Sequence, residues 1–151
     1  MKPLATVSAS ELRADPSARF WALIMYLAEH SAAQKVPDFR EFWLAYLYDA
    51  EVNNGGHLQY FHNQGTSNVS ATVQALGRIG AEPHALLLSE CWRQVQHEPL
   101  SRVASLEEYS TLASERSFVA EDKAYYALPS VTELLEGHYG SLIEHAIAIG
   151  A

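Results

Sequence analysis

The sequence predicts an all-α fold, a single-domain bundle of about six to eight helices, some of them short. Apolar residues recur at spacings of three and four along most of the chain, which is the period of a helix with one buried face. No run alternates apolar and polar residues over a length that would indicate a strand. With 151 residues, 48% of them hydrophobic, the chain has the usual size of one domain, so one core is expected over residues 1–151.

The first two helices are expected from their start signals. Ser8 and Glu11 have the spacing of a capping box, which predicts a short helix there. Asp15 is suited to cap the second helix, with Pro16 at its first position. The apolar stripe of this second helix consists of Phe20, Leu23, Ile24 and Leu27.

Pro37 predicts the start of a long third helix with a broad aromatic face. That face consists of Phe39, Phe42, Trp43, Tyr46, Leu47 and Ala50. The helix cannot continue unaltered through Asn53–Gly56, because two glycines and two asparagines favour a turn or a left-handed cap. A short helical piece, Leu58–His62, is expected to follow this interruption.

Four further helices are expected in the rest of the chain. Their start signals are Ser67 or Asn68, Pro83, Ser105 with Glu108, and Ser130 with Glu133. The lone Cys91 falls on the apolar stripe of the second of these helices, where a thiol is usually an inert core group. The last of the four is expected to run to about Ile149.

The net charge of −8 is concentrated in the C-terminal third of the chain. Residues 1–106 contribute −2, and residues 107–151 contribute −6, from eight acids and two bases. Binding to nucleic acid or to an anionic membrane is not expected, since both need clustered Lys or Arg.

The acids of this third are predicted to form a face that binds a basic surface on another protein, such as a DNA-binding protein. The candidates for this face are Glu107, Glu108, Glu121, Asp122, Glu133, Glu136 and Glu144. An ordinary solvated face is the alternative, because many surfaces carry such charges.

No catalytic, cofactor or metal site is predicted. The seven histidines lack the spacing of a chelating pair, and no nucleophile elbow or dinucleotide loop occurs. An enzyme is therefore not the expected class. A cytoplasmic location is expected, since residues 1–10 lack a signal-peptide core and the longest apolar stretch, Phe42–Tyr48, is too short to span a bilayer.

The segment Glu51–Gly65 stands out because it combines glycines and amides beside strongly apolar helices. One interpretation is a small polar pocket for a ligand or an enzymatic reaction, with backbone approach at the glycines. The other is that the amides of Asn54, Gln59 and Asn63 cap the two helix ends at the break, in which case the segment is architectural.

The same segment resembles the hallmark of the DNA-mimic-protein-like family of bacterial helical domains, over about residues 20–148. The matching residues are Glu51, Val52, Asn53, Asn54, Gly55, Gly56, Gln59, Tyr60, Phe61 and Asn63. His57 departs from the aromatic residue usual after the glycine pair. The resemblance implies a helical protein of largely unassigned function, and it suggests imitation of duplex DNA on the binding face of a partner protein.

Overall fold

The computed structural model describes residues 1–151 and confirms the helical bundle. The helices are α1 (Ala9–Ala14), α2 (Ala18–Glu29), α3 (Pro37–Gln64), α4 (Val69–Arg78), α5 (Glu82–His97), α6 (Leu106–Glu115), α7 (Val119–Tyr126), α8 (Val131–His138) and α9 (Gly140–Ala146). A short 3₁₀ turn spans Ala33–Lys35. Two short strands, β1 (Ala5–Ser8) and β2 (Ile147–Gly150), pair in parallel. None of the helices combines the length and the apolar character that a membrane span requires.

The chain divides into two compact units, which are described separately. The terminal unit consists of Met1–Trp43 and Thr132–Ala151, and the central unit consists of Leu44–Val131.

The terminal unit is built on α2 and on the strand pair. The predicted stripe of α2 is buried, and the rings of Phe20 and Phe42 meet edge to face at 5.7 Å. The capping box at Ser8 is present, with Glu11 N donating to Ser8 Oγ at 3.1 Å. α2 begins at Ala18, two residues after the expected Pro16, because Asp15 accepts from Ser17 N and forms a turn before the helix.

The expected end of the last helix was wrong. Helix α8 stops at His138, α9 follows from Gly140 to Ala146, and the chain then extends as β2. The chain extends here because Ile147 pairs with Ala5 and Ile149 pairs with Val7 of β1. β-branched residues such as these isoleucines favour a strand. Each strand has only four residues, so neither is long enough to show alternation in the sequence.

The central unit contains the rest of α3 and the helices from α4 to α7. Its α3 segment buries Tyr48 and Val52, whereas Tyr46, Leu47 and Ala50 of the expected aromatic face are only half-buried. Cys91 is buried on α5 as predicted, and burial raises the pKa of its thiol. The tight packing around Tyr48 holds the polar groups described next.

Candidate functional site at the break in α3

The expected break in α3 is present at the glycine pair. Gly55 has φ −155° and ψ 19°, and Gly56 has φ 76° and ψ −177°. The second of these conformations is almost restricted to glycine. A Cβ on Gly56 would also lie 2.9 Å from Cγ of Asp122, and Asp122 Oδ2 would be closer still. Two independent constraints, backbone conformation and the approach of Asp122, therefore require glycine at this position.

Helix α7 satisfies the backbone groups at both sides of the break. Asp122 Oδ1 accepts from the His57 N–H at 2.9 Å, and the Tyr126 hydroxyl donates to the Val52 carbonyl at 2.8 Å. Asp122 and Tyr126 are four residues apart, which places them on one face of α7. These two caps come from a helix more than 60 residues away along the chain and not from the amide side chains of the motif.

A chain of buried polar side chains continues inward from Asp122. His57 Nδ1 lies 2.7 Å from Asp122 Oδ1, and its Nε2 lies 2.7 Å from the Tyr48 hydroxyl. Burial lowers the pKa of His57, and its bonds to Asp122 act in the opposite direction. A neutral His57 donates a hydrogen bond from Nδ1 to the carboxylate and accepts one from the Tyr48 hydroxyl at Nε2. Burial raises the pKa of Tyr48, so this hydroxyl keeps its proton.

A second buried group surrounds Asp49. The Tyr125 hydroxyl donates to Asp49 Oδ1, and Asn53 of the predicted motif also bonds to this carboxyl. Burial raises the pKa of Asp49, while these hydrogen bonds lower it. His84 is buried as well and donates from Nε2 to the Pro129 carbonyl at 2.9 Å.

The buried polar residues Asp49, His57 and His84 are not among those predicted from the sequence. The spacing of the histidines bears only on metal ligation, and a lone Asp on a helix gives no signal of burial. The one available signal was His57 itself, which occupies a position where the family usually has an aromatic side chain.

Glu51 orders the amides of the motif. Its Oε2 accepts from Gln59 Nε2 at 2.9 Å and from Asn63 Nδ2 at 2.8 Å, and its Oε1 accepts from Gln64 Nε2 at 3.3 Å. These bonds cross the break, since Glu51 precedes it and the amides follow it. Tyr60 and Phe61 lie in the core instead, with the Tyr60 ring 5.1 Å from that of Tyr48.

A groove of about 510 Å³ lies next to these amides and is called the amide groove. Its lining residues are Asn54, Gln59, His62, Asn63, Val103, Ala104, Ser105, Leu106 and Tyr109. Its volume falls within the range of small-ligand sites. The structure thus brings three of the predicted motif residues to one concave surface.

The predicted acidic residues are distributed over both units. In the central unit, Glu107 and Glu108 are exposed on α6, Glu121 accepts from Gln94 Nε2 at 2.7 Å, and Asp122 bonds to His57. Asp122 is thus an acid of α7 whose carboxylate is bonded to His57 at the break in α3.

The other three predicted acids belong to the terminal unit. Glu133 and Glu144 are exposed, and Glu136 accepts from Ser17 Oγ at 2.8 Å. Two of these three carboxylates are therefore open to solvent.

Two of the buried polar side chains, Asp49 and His57, are bonded to other side chains of the central unit. His84 bonds to a backbone carbonyl through Nε2, and its buried Nδ1 has no hydrogen-bond partner. No group of three or more His, Cys, Asp or Glu side chains is placed to hold a metal ion. The hydrogen bonds of Asp122, His57 and Tyr48 suit a role in holding the broken helix together.

The family model described as DMP19-like protein matches residues 35–145, which includes the break, the amide groove and α6. The curated proteins and the solved structures gave no match.

Proposed function

We propose, since this chain belongs to the DMP19-like protein family, that it is a non-catalytic protein that binds a basic surface of a partner protein. The observation that carries the proposal is the charge of α6. Glu107, Glu108 and Glu115 are exposed on this helix, and its ten residues include no base. These three residues are called the α6 patch.

The surroundings of the α6 patch leave its carboxylates largely without basic partners. Arg116, the next base along the chain, donates to the Glu98 carbonyl at 2.7 Å. The patch lines a groove of about 420 Å³ in which Arg102 is the only base. Exposed carboxylates without a basic partner attract a basic surface and increase the rate of encounter.

Charge density decides how far the proposal extends toward DNA mimicry. A helix of ten residues is about 15 Å long, so three acids give about one charge per 5 Å. A duplex carries about one charge per 1.7 Å of its axis. The charge density of the α6 patch therefore supports binding to a basic protein surface in general. Binding to the DNA-binding face of a protein is a narrower proposal within this one.

Affinity capture from a lysate of the encoding organism, with three matched variants, tests the proposal. The variants are Glu107→Lys with Glu115→Lys, Glu133→Lys with Glu144→Lys, and Glu29→Lys with Glu82→Lys, which change the net charge equally. Glu108 is left intact because its carboxylate accepts from Ala104 N at 2.6 Å before α6.

We expect the first variant to lose a partner that the third retains, and we expect added salt to weaken binding of the wild type. The second variant measures the contribution of the other predicted acids. Equal capture by all variants, or binding that is insensitive to salt, would overturn the proposal. Competition between the purified partner's DNA duplex and this chain would extend the proposal to DNA mimicry.

A further inference from the structure

Glu51 fixes the orientation of two amide side chains that line the amide groove. A carboxylate only accepts hydrogen bonds, so the NH₂ groups of Gln59 and Asn63 must face Glu51. The carbonyl oxygen of Gln59 packs against Gly55, so it does not face the groove. The carbonyl oxygen of Asn63, an exposed residue that lines the groove, remains as an acceptor, and a ligand that bonds to it must donate a hydrogen bond.

The charge around the amide groove favours a cation. No Lys or Arg is among its lining residues, and Glu51 lies directly against two of the amides that line it. The negative charge of Glu51 also reaches Tyr109, another lining residue: burial raises the pKa of the Tyr109 hydroxyl, and the charge of Glu51 raises it further. A donor-rich cation is therefore favoured over a neutral or anionic ligand.

The walls of the groove favour a planar cation on an apolar stem. The rings of His62 and Tyr109 lie 4.9 Å apart, and Leu106 beside them is 82% exposed. A guanidinium stacks on aromatic rings and forms several hydrogen bonds in one plane, whereas an ammonium is a compact, strongly hydrated point charge. An arginine side chain matches both the rings and the exposed apolar surface of Leu106.

We propose that the amide groove binds an arginine side chain of the partner, with its guanidinium donating to the carbonyl oxygen of Asn63. This assignment rests on the proposed function and names the chemistry of the partner. Helix α6 connects the two surfaces, since Leu106 and Tyr109 line the groove and Glu107 belongs to the α6 patch. A partner segment with arginine beside further bases would occupy both.

Titration of the full chain with N-acetyl-arginine amide, followed by NMR, tests the groove directly. We expect saturable binding with a roughly millimolar dissociation constant, which is in keeping with a single side chain. The side-chain amide signals of Gln59 and Asn63 should shift. N-acetyl-citrulline amide, the neutral analogue of nearly equal shape, should bind at least tenfold more weakly. Nα-acetyl-lysine amide, which carries an ammonium in place of the guanidinium, should also bind more weakly. Equal binding of the arginine and citrulline compounds would overturn the proposal.

Variants locate the binding within the groove. Asn63→Ala and Tyr109→Leu should each weaken binding of the arginine compound several-fold, and Gln74→Ala, which removes an exposed amide on α4, should not. Glu51→Gln should weaken it about tenfold. Glu51 also stabilises the break, so an unfolding curve must show that this variant is folded. If Glu51→Gln unfolds, the Asn63→Ala variant still tests the proposal, because Asn63 is exposed. Wild-type affinity in both Asn63→Ala and Tyr109→Leu would contradict the assignment.

The outcomes separate this inference from the proposed function. If capture of a partner depends on Glu107 and Glu115 but the arginine compound does not bind, only the groove assignment fails. If the arginine compound binds but no salt-sensitive partner is captured, the proposed function fails. A neutral metabolite that displaces the arginine compound and stabilises the chain in a thermal-shift screen would assign the groove to a free ligand and overturn the inference.

Discussion

Replacement of Gly56 by alanine is the sharpest perturbation of the break in α3. The residue has φ 76° and ψ −177°, and an added Cβ would meet the Asp122 carboxylate. Relief of this contact requires Asp122 to move, and Asp122 holds both the backbone N–H and the ring Nδ1 of His57. The substitution therefore strains the backbone and also removes a cap and a buried hydrogen bond.

The cost follows from these two contributions. Backbone strain of this kind is of order 1–3 kcal/mol, and a hydrogen bond to a charged group contributes about 1.5–3 kcal/mol. The Asp122 side chain is 21% exposed, so water replaces part of the second contribution. A loss of about 3–4 kcal/mol is expected, a large part of the roughly 5–15 kcal/mol that stabilises a typical protein.

Urea and thermal unfolding followed by circular dichroism measure this loss. For a chain of this size we expect the Tm to fall by roughly 10 °C. Gly77→Ala is the matched control: Gly77 lies within α4, and an added Cβ there meets nothing within 4 Å. This control should be neutral or stabilising by up to about 1 kcal/mol. A Gly56→Ala protein as stable as the wild type would refute the requirement for glycine.

Three further predictions concern α7, His57 and Arg102. Tyr126→Phe leaves the Val52 carbonyl without its partner and should cost about 0.5–1 kcal/mol of unfolding free energy in urea, since Tyr126 is 54% exposed. An unchanged midpoint of unfolding would argue against the cap. The pKa of His57 is lowered by burial, so below about pH 6.5 the unfolded state takes up a proton before the folded state does. Wild-type stability should therefore fall more between pH 7 and pH 5 than that of His57→Gln, and equal slopes would contradict a buried neutral histidine. Arg102→Gln removes the only base that lines the groove of the α6 patch, and it should lower the Kd for a basic partner at low salt but not at high salt. A weaker complex would mean that Arg102 contacts the partner favourably.

Local signals in the sequence predicted most of the helical architecture. The capping box at Ser8, the start at Pro37 and the break at the glycine pair each depend on residues within a few positions of one another. The strand pair could not be predicted in this way. Its two members are about 140 residues apart, and neither is long enough to show a periodicity of two.

The candidate site was predicted only in part, because some of its residues are far apart in the sequence. The motif from Glu51 to Asn63 indicated a polar break, and the structure places Gln59 and Asn63 beside a groove. The partners that hold the break together, Asp122 and Tyr126, are remote in sequence and look like ordinary surface residues of a short helix. Their spacing of four residues was the only available indication that they act on one face.

The acidic residues show the same limit of local patterns. A count of charges places the excess in residues 107–151, but it does not reveal which carboxylates have internal roles. Asp122 caps a helix and Glu136 accepts from Ser17, whereas Glu107 is left exposed. Only tertiary contacts distinguish a capping acid from one that is open to a partner.

Zero-length carbodiimide cross-linking of the captured complex, followed by peptide mass spectrometry, tests the proposed contact most directly, because this chemistry joins only touching carboxylates and amines. We predict links from Glu107, Glu108 or Glu115 to lysines of the partner. Links confined to Glu133 and Glu144, or a complex that forms without any link from α6, would contradict the account.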